Sequence, residues 1–151
     1  MKNIEEKLIP LLSTGNCTPQ ISGIAKKTRE PATTIHYNIK RMEKEGKILA
    51  YKAVFDYEKI NKGFCIYVLL NLAPEEYGDP ERITKELAKF EEIESIDIIT
   101  GDWELVVKVR TKNADEYYAF VRSVLSRKGI TKIKSLTSLK QVKTEFVVLN
   151  K

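Results

Sequence analysis

The segment PATTIHYNIKRMEKEG, Pro31 to Gly46, has two unlike faces. Pro31 suits the first position of a helix and Gly46 its end. At about 100° per residue, Ile35, Ile39 and Met42 fall on one stripe. Thr33, Tyr37, Lys40 and Lys44 fall opposite, with His36 and Arg41 on the flanks. The aliphatic stripe needs a neighbour to bury it, whereas the other face is basic, hydroxylic and aromatic. Lysines there would attract phosphate, while Thr33, Thr34, His36, Tyr37 and Arg41 are able to touch base edges.

Upstream, Thr18-Pro19 reads as the cap and first-turn proline of a short second helix that buries Ile21, Ile24 and Ala25 and ends near Lys27 or Thr28. Ile4, Leu8, Leu11 and Leu12 recur at helical spacing ahead of Gly15-Asn16, which predicts a first helix bent by Pro10. A short helix, a tight turn and a longer helix with a polar outer face form a helix-turn-helix, whose second element enters the DNA major groove.

Downstream the pattern changes. Lys47 to Lys62 reads as a connection that begins with a short strand at Ile48 to Val54. Phe64 to Leu72 is β-rich and apolar on both faces, and Asp79-Pro80 opens a helix with Ile83, Leu87 and Phe90 inward. Ser95 to Thr100 and Glu104 to Thr111 read as strands joined by a Gly101-Asp102 turn. Asn113 with Glu116 approximates a capping box for a helix that buries Tyr117, Phe120, Val121, Val124 and Leu125 and closes at Gly129. Strand-like segments follow around Lys132 to Gln141 and Glu145 to Leu149. The order β-α-β-β-α-β with a trailing strand is the ferredoxin-like arrangement.

The expected fold is therefore α+β: a three-helix helix-turn-helix domain (residues 1–50), a linker (51–62) and a ferredoxin-like βαββαβ domain (63–151). Two helices cover only one face of such a sheet, yet Phe64 to Leu70 is apolar on both sides. A second subunit is the simplest cover.

The charge follows the same division. Of the 151 residues, 1–62 carry 12 Lys/Arg against 7 Asp/Glu, whereas 63–151 carry 14 against 14, so all of the net charge of +5 lies in front. A local basic excess beside a neutral remainder points to a polyanion-binding module joined to a module with another task. With 42% apolar residues, 7 Gly and 5 Pro the chain can bury a core. Its longest apolar run, Phe64 to Leu70, is far short of the ~20 residues of a membrane helix, and acids at Glu5 and Glu6 interrupt any leader. A cytoplasmic protein with no membrane partner is expected. Cys17, Cys65 and the lone His36 cannot make a convincing zinc site, and no cofactor motif is present, so neither metal nor cofactor is expected.

Three other readings compete. Some ferredoxin-like domains are small enzymes such as acylphosphatases, but Gly63-Phe64-Cys65-Ile66 offers none of their phosphate loop, and His36 has no nucleophile or orienting acid at usable spacing. No catalytic residue is expected. A metabolite-sensing assembly protein without DNA binding is the closest alternative, and the basic front domain argues against it. RNA binding lacks the aromatic ribonucleoprotein motif on the predicted strands.

TTIHYNIKRMEKEGKILAYKAVFDYEKINKG, Thr33 to Gly63, and TGDWELVVKV, Thr100 to Val109, resemble the leucine-responsive regulator (Lrp/AsnC, feast/famine) transcription factors, especially archaeal members. The chain departs from that pattern with Glu30-Pro31 at the start of the recognition helix, with Asn38, and with Glu104 as the second acid of the hairpin. The resemblance implies a sequence-specific, double-stranded-DNA-binding regulator that dimerises through its ferredoxin-like domain and often assembles further, to octamers or filaments. It also implies that an amino acid or related metabolite binds between dimers near Gly101, Asp102, Trp103 and Glu104. Asp102 and Glu104 could receive an ammonium there, and turn amides a carboxylate. Read alone, the same residues suit a polar hairpin turn, and Trp103 a core or interface aromatic.

Overall fold

The computed structural model describes residues 3–149, and the chain divides into two compact units, residues 1–55 and 56–151. In the first unit, α1 (Ile4–Thr14) starts where the Asn3 side chain accepts from the Glu5 amide, with Glu5 and Glu6 in the first turn, and it contains Pro10. The second helix, α2, spans Ile21–Thr28. It begins later than Thr18-Pro19 suggests, because Gln20 is extended and its carbonyl accepts the first helical bond, from Ile24. Thr18 therefore does not cap it. A turn through Arg29, in the left-handed region at φ 60°, leads by way of Glu30 and Pro31 to α3 (Ala32–Lys44).

No residue of these three helices is fully buried. The expected stripe of α1 is uncovered, with Ile4 62% and Leu11 53% exposed. Beyond Gly46 the chain returns towards α1, and the Ala53 amide donates to the Leu12 carbonyl. The strand expected at Ile48 to Val54 does not form, since this chain lays no strand beside it. The expected linker is divided between the two units. Tyr51 bonds Glu43 of α3 at 3.0 Å, while Tyr57 stacks on Arg110 in the second unit.

The second unit is a four-stranded antiparallel sheet, β1 (Phe64–Leu72), β2 (Ile93–Ile98), β3 (Leu105–Thr111) and β4 (Ile130–Thr137), in the order β2-β3-β1-β4. Crossovers through α4 (Pro80–Leu87) and α5 (Ala114–Phe120), the latter running on into a π-helical turn (Val121–Leu125), give the ferredoxin-like topology. Asn113 caps α5, accepting from the Glu116 amide at 3.0 Å, and the Glu116 carboxylate accepts in return from the Lys112 amide. β2 starts at Ile93, two residues before the expected start, through an irregularity between Ile93 and Ser95 that turns Glu94 out of register.

The core lies between helices and sheet. Ile66, Val68, Leu70 and Leu72 of β1 and Leu105, Val107 and Val109 of β3 meet Ile83, Leu87, Phe120, Val124 and Leu125. The trailing strand is instead a separate hairpin, β5 (Lys143–Thr144) and β6 (Val147–Val148), because Glu145 and Phe146 turn the chain back at φ 47° and 65°. Two-residue hairpin turns of this hand ordinarily use Asn or Gly.

Candidate nucleic-acid interface and effector hairpin

Along α3, Ile35 and Ile39 turn inward, and Thr33, Thr34, His36, Tyr37, Lys40, Arg41 and Lys44 are all exposed, Tyr37 by 66%. The helix thus presents the expected residues together on one surface. Its cations differ in what they already hold. Lys40 Nζ lies 2.9 Å from Glu43, Arg41 Nε lies 3.8 Å from Glu45, and Lys44 makes no ion pair among the described residues. Glu43 also accepts from Tyr51, and these two bonds hold its carboxyl below the usual glutamate range. Asn38 turns its amide back onto the Thr34 carbonyl at 2.8 Å. That bond ties its amide nitrogen to the helix backbone.

The hairpin at Gly101–Glu104 joins β2 to β3. The Ile99 amide donates to the Glu104 carbonyl at 2.8 Å, and Gly101 sits at φ +113°, which a side chain would strain. Asp102 is exposed, Trp103 half-buried. Glu104 points back into the fold, where its Oε2 accepts from the Leu72 amide at 2.9 Å at the end of β1. Asp102 is therefore the acid that the hairpin shows to solvent, and Glu104 fixes the hairpin to the sheet. The cavities at Arg110 and beside α4 and α5 take no lining residue from this hairpin.

The sheet face away from the helices holds residues that alternation alone does not single out. Lys108 and Arg110 point to that side, and both pair with Glu94, Lys108 at 2.8 Å. Arg110 is only 6% exposed, donates to Gln141 Oε1 at 2.6 Å and carries the Tyr57 ring on its guanidinium, 3.5 Å from Cζ to the ring centre. Lys108 also reaches Thr144 of β5 at 3.3 Å. A buried ionic cluster holds only while its partners stay together, so Tyr57, β5 and the strand face are bound as one piece. The one sequence signal was the polar alternation of Lys108 and Arg110 with Val107 and Val109. Further along the same face Tyr67 and Leu136 are exposed.

A helix-turn-helix unit with an exposed basic and aromatic face on α3, followed by a ferredoxin-like unit whose second sheet face is covered at one end and open around Tyr67 and Leu136, is the architecture of a two-part regulator. The chain belongs to the Lrp/AsnC family: residues 65–148 match the Lrp/AsnC ligand binding domain. An HTH-type transcriptional regulator of Pyrococcus abyssi is 30% identical over 147 residues, 97% of each chain. The HTH-type transcriptional regulator FL11 of Pyrococcus furiosus is 30% identical over 140 residues, 93% of this chain and 90% of that one. Among solved structures, the fold matches an AsnC family regulator of Agrobacterium tumefaciens (TM-score 0.74, 22% identity, 95% and 94% of the two chains). It also matches a Neisseria meningitidis regulator solved with L-Met (TM-score 0.75, 19% identity, 87% and 86%).

Proposed function

We propose that this chain is a cytoplasmic, sequence-specific DNA-binding transcriptional regulator that catalyses no reaction and whose assembly or DNA affinity is set by an amino acid or related metabolite. The observation that carries the reading is the outer face of α3, where seven side chains suited to phosphates and base edges are exposed together above an inward aliphatic stripe. Lys40 and Lys44 supply phosphate attraction. Arg41, Tyr37, Thr33, Thr34 and His36 read bases. Two copies joined through the uncovered part of the second sheet face, with Tyr67, Leu69, Val106 and Leu136 meeting across it, would place two recognition helices on two half-sites.

The effector binds at Gly101–Glu104, at a contact between dimers in a larger assembly. Asp102 receives its ammonium, amides of the turn and the Trp103 side chain hold the rest, and Glu104 keeps the hairpin in place. The L-Met complex of the Neisseria meningitidis regulator supports an amino acid as the ligand class. A ligand that prefers the assembled form shifts the population toward it, and so changes DNA occupancy without touching α3.

The test is selection of bound duplexes from random pools, repeated with each standard amino acid present, together with light scattering. A defined sequence motif and one amino acid that changes mass or affinity are expected, and Asp102→Ala should remove that response while leaving ligand-free binding intact. Binding without sequence preference would refute the recognition role. A mutant that responds as the wild type does would place the effector elsewhere.

A further inference from the structure

Cys65 and Arg110 face each other across the β1–β3 ladder, at the opposite end of the sheet from Leu70 and Leu105, where the effector hairpin begins. Over them close the 56–63 segment and residues 138–141, with Leu149 nearby, leaving a cavity of about 110 Å³. At about 30 Å³ for each water, its share of the liquid's volume, that is room for roughly four waters, or for an amino acid as small as glycine.

The lining carries two cations, Arg110 and Lys140, and two acids, Asp56 and Glu58. Asp56 already lies 3.9 Å from Lys59. Arg110 is held by the Tyr57 ring, by Glu94 and by Gln141. Those two hydrogen bonds engage two of the five donors of a guanidinium. Its plane is thus fixed before any ligand arrives, the preorganisation that makes arginine effective towards carboxylates. Lys108 draws on the same Glu94 carboxylate, so the strand face at this end holds two cations on one shared acid. The Cys65 thiol, pushed up by burial, contributes an uncharged floor.

We infer that this cavity is a second small-molecule site, separate from the hairpin, that takes a small amino acid with its carboxylate on Arg110 and Lys140 and its ammonium at Glu58. A lining of both signs fits a zwitterion, whereas a simple anion would leave Glu58 facing it and a simple cation would meet Arg110. A ligand here would bridge the segment that opens the second unit, the sheet and the residues after β4.

The experiment is calorimetric titration of the full chain with each standard amino acid, on wild type, Asp102→Ala, Ser138→Phe and Lys140→Ala. Ser138 lines the cavity, and a phenyl ring there fills it. The expected result is a binding event that survives Asp102→Ala, disappears in Ser138→Phe and weakens about tenfold or more in Lys140→Ala, the scale of a lost hydrogen bond to a charged group. If every event is lost in Asp102→Ala, if none occurs, or if Ser138→Phe folds and titrates as wild type does, the inference is overturned. Should Ser138→Phe fail to fold by circular dichroism, the exposed Lys140→Ala decides, and an unchanged affinity overturns it. Asp102→Ala reports separately on the hairpin, so failure of one site is not mistaken for failure of the other.

Discussion

Lys44→Ala is the sharpest perturbation of the proposed DNA-binding face, because Lys44 is the cation of α3 that makes no ion pair among the described residues. Lys40 and Arg41 must each leave a glutamate of their own helix to reach a phosphate. Lys44 has no such partner among the described residues. Each phosphate neutralised contributes about 0.9 to the slope of log affinity against log salt, so one contact on each of two half-sites is worth about 1.8. Between 50 and 200 mM salt, a fourfold range, that difference amounts to roughly tenfold in how far affinity falls. Fluorescence anisotropy of a labelled operator duplex across that range measures it directly. Lys44→Ala should flatten the slope by about that amount on every sequence tested and leave the order of preferred sequences unchanged. Lys40→Ala should flatten it less, since Lys40 is partly neutralised by Glu43 before DNA arrives. Parallel slopes for wild type and Lys44→Ala would refute the placement of this helix face against the phosphates.

Arg41→Ala and Tyr37→Ala should relax preference at a few base positions, each by ~1–3 kcal/mol, visible in selected pools as lost information at those positions and not as uniform weakening. The bonds from Lys40 and Tyr51 lower the folded-state pKa of Glu43, so their contribution to stability is present at neutral pH and is lost as pH falls through that lowered value. Acid unfolding of Glu43→Gln should accordingly show a smaller loss of stability on acidification than wild type. Glu94→Ala strands Lys108 and Arg110, whose side chains are 12% and 6% exposed. It should cost ~3–5 kcal/mol in denaturant unfolding, as removal of one member of a buried ion cluster does.

Periodicity read the sheet well because a strand with one covered face must alternate. Val107 and Val109 against Lys108 and Arg110, or Ile66, Val68 and Leu70 along β1, follow from the position of the helices. It failed where the deciding partner is remote in sequence. Glu94 looks like a surface acid beside Ile93 and Ser95, and only the irregularity in β2 turns it onto Lys108 and Arg110. Glu104 reads as a twin of Asp102, yet its carboxylate is taken by the Leu72 amide. The outward residues of α3 were legible for the opposite reason, since their exposure follows from the helical period alone and the ion pairs they make, Lys40 with Glu43 and Arg41 with Glu45, are local to the helix and its end. The start of α2 was misplaced because Thr18-Pro19 carries the composition of a cap, whereas the extended backbone of Gln20 sets where the hydrogen-bond ladder begins.

What one chain leaves uncovered bears on how, in the proposed function, a ligand at the second unit would govern the first. Ile4, Leu8 and Leu11 on α1 and Tyr67 and Leu136 on the sheet are exposed apolar side chains, and each stripe is what an amphipathic element shows when its neighbour is missing. A first unit with no fully buried helical residue has too thin a core to be stable by itself. Under the proposed function its stability, like the spacing of two recognition helices, would depend on association with another copy. In the proposed function that association lies on the second unit, where β1 and β3 are densely packed and the hairpin is pinned by Glu104. A metabolite has no need to reshape α3. It has only to favour one arrangement of copies by the difference in its own affinity for the two, and a difference of a few kcal/mol is enough to move the population from mostly one to mostly the other.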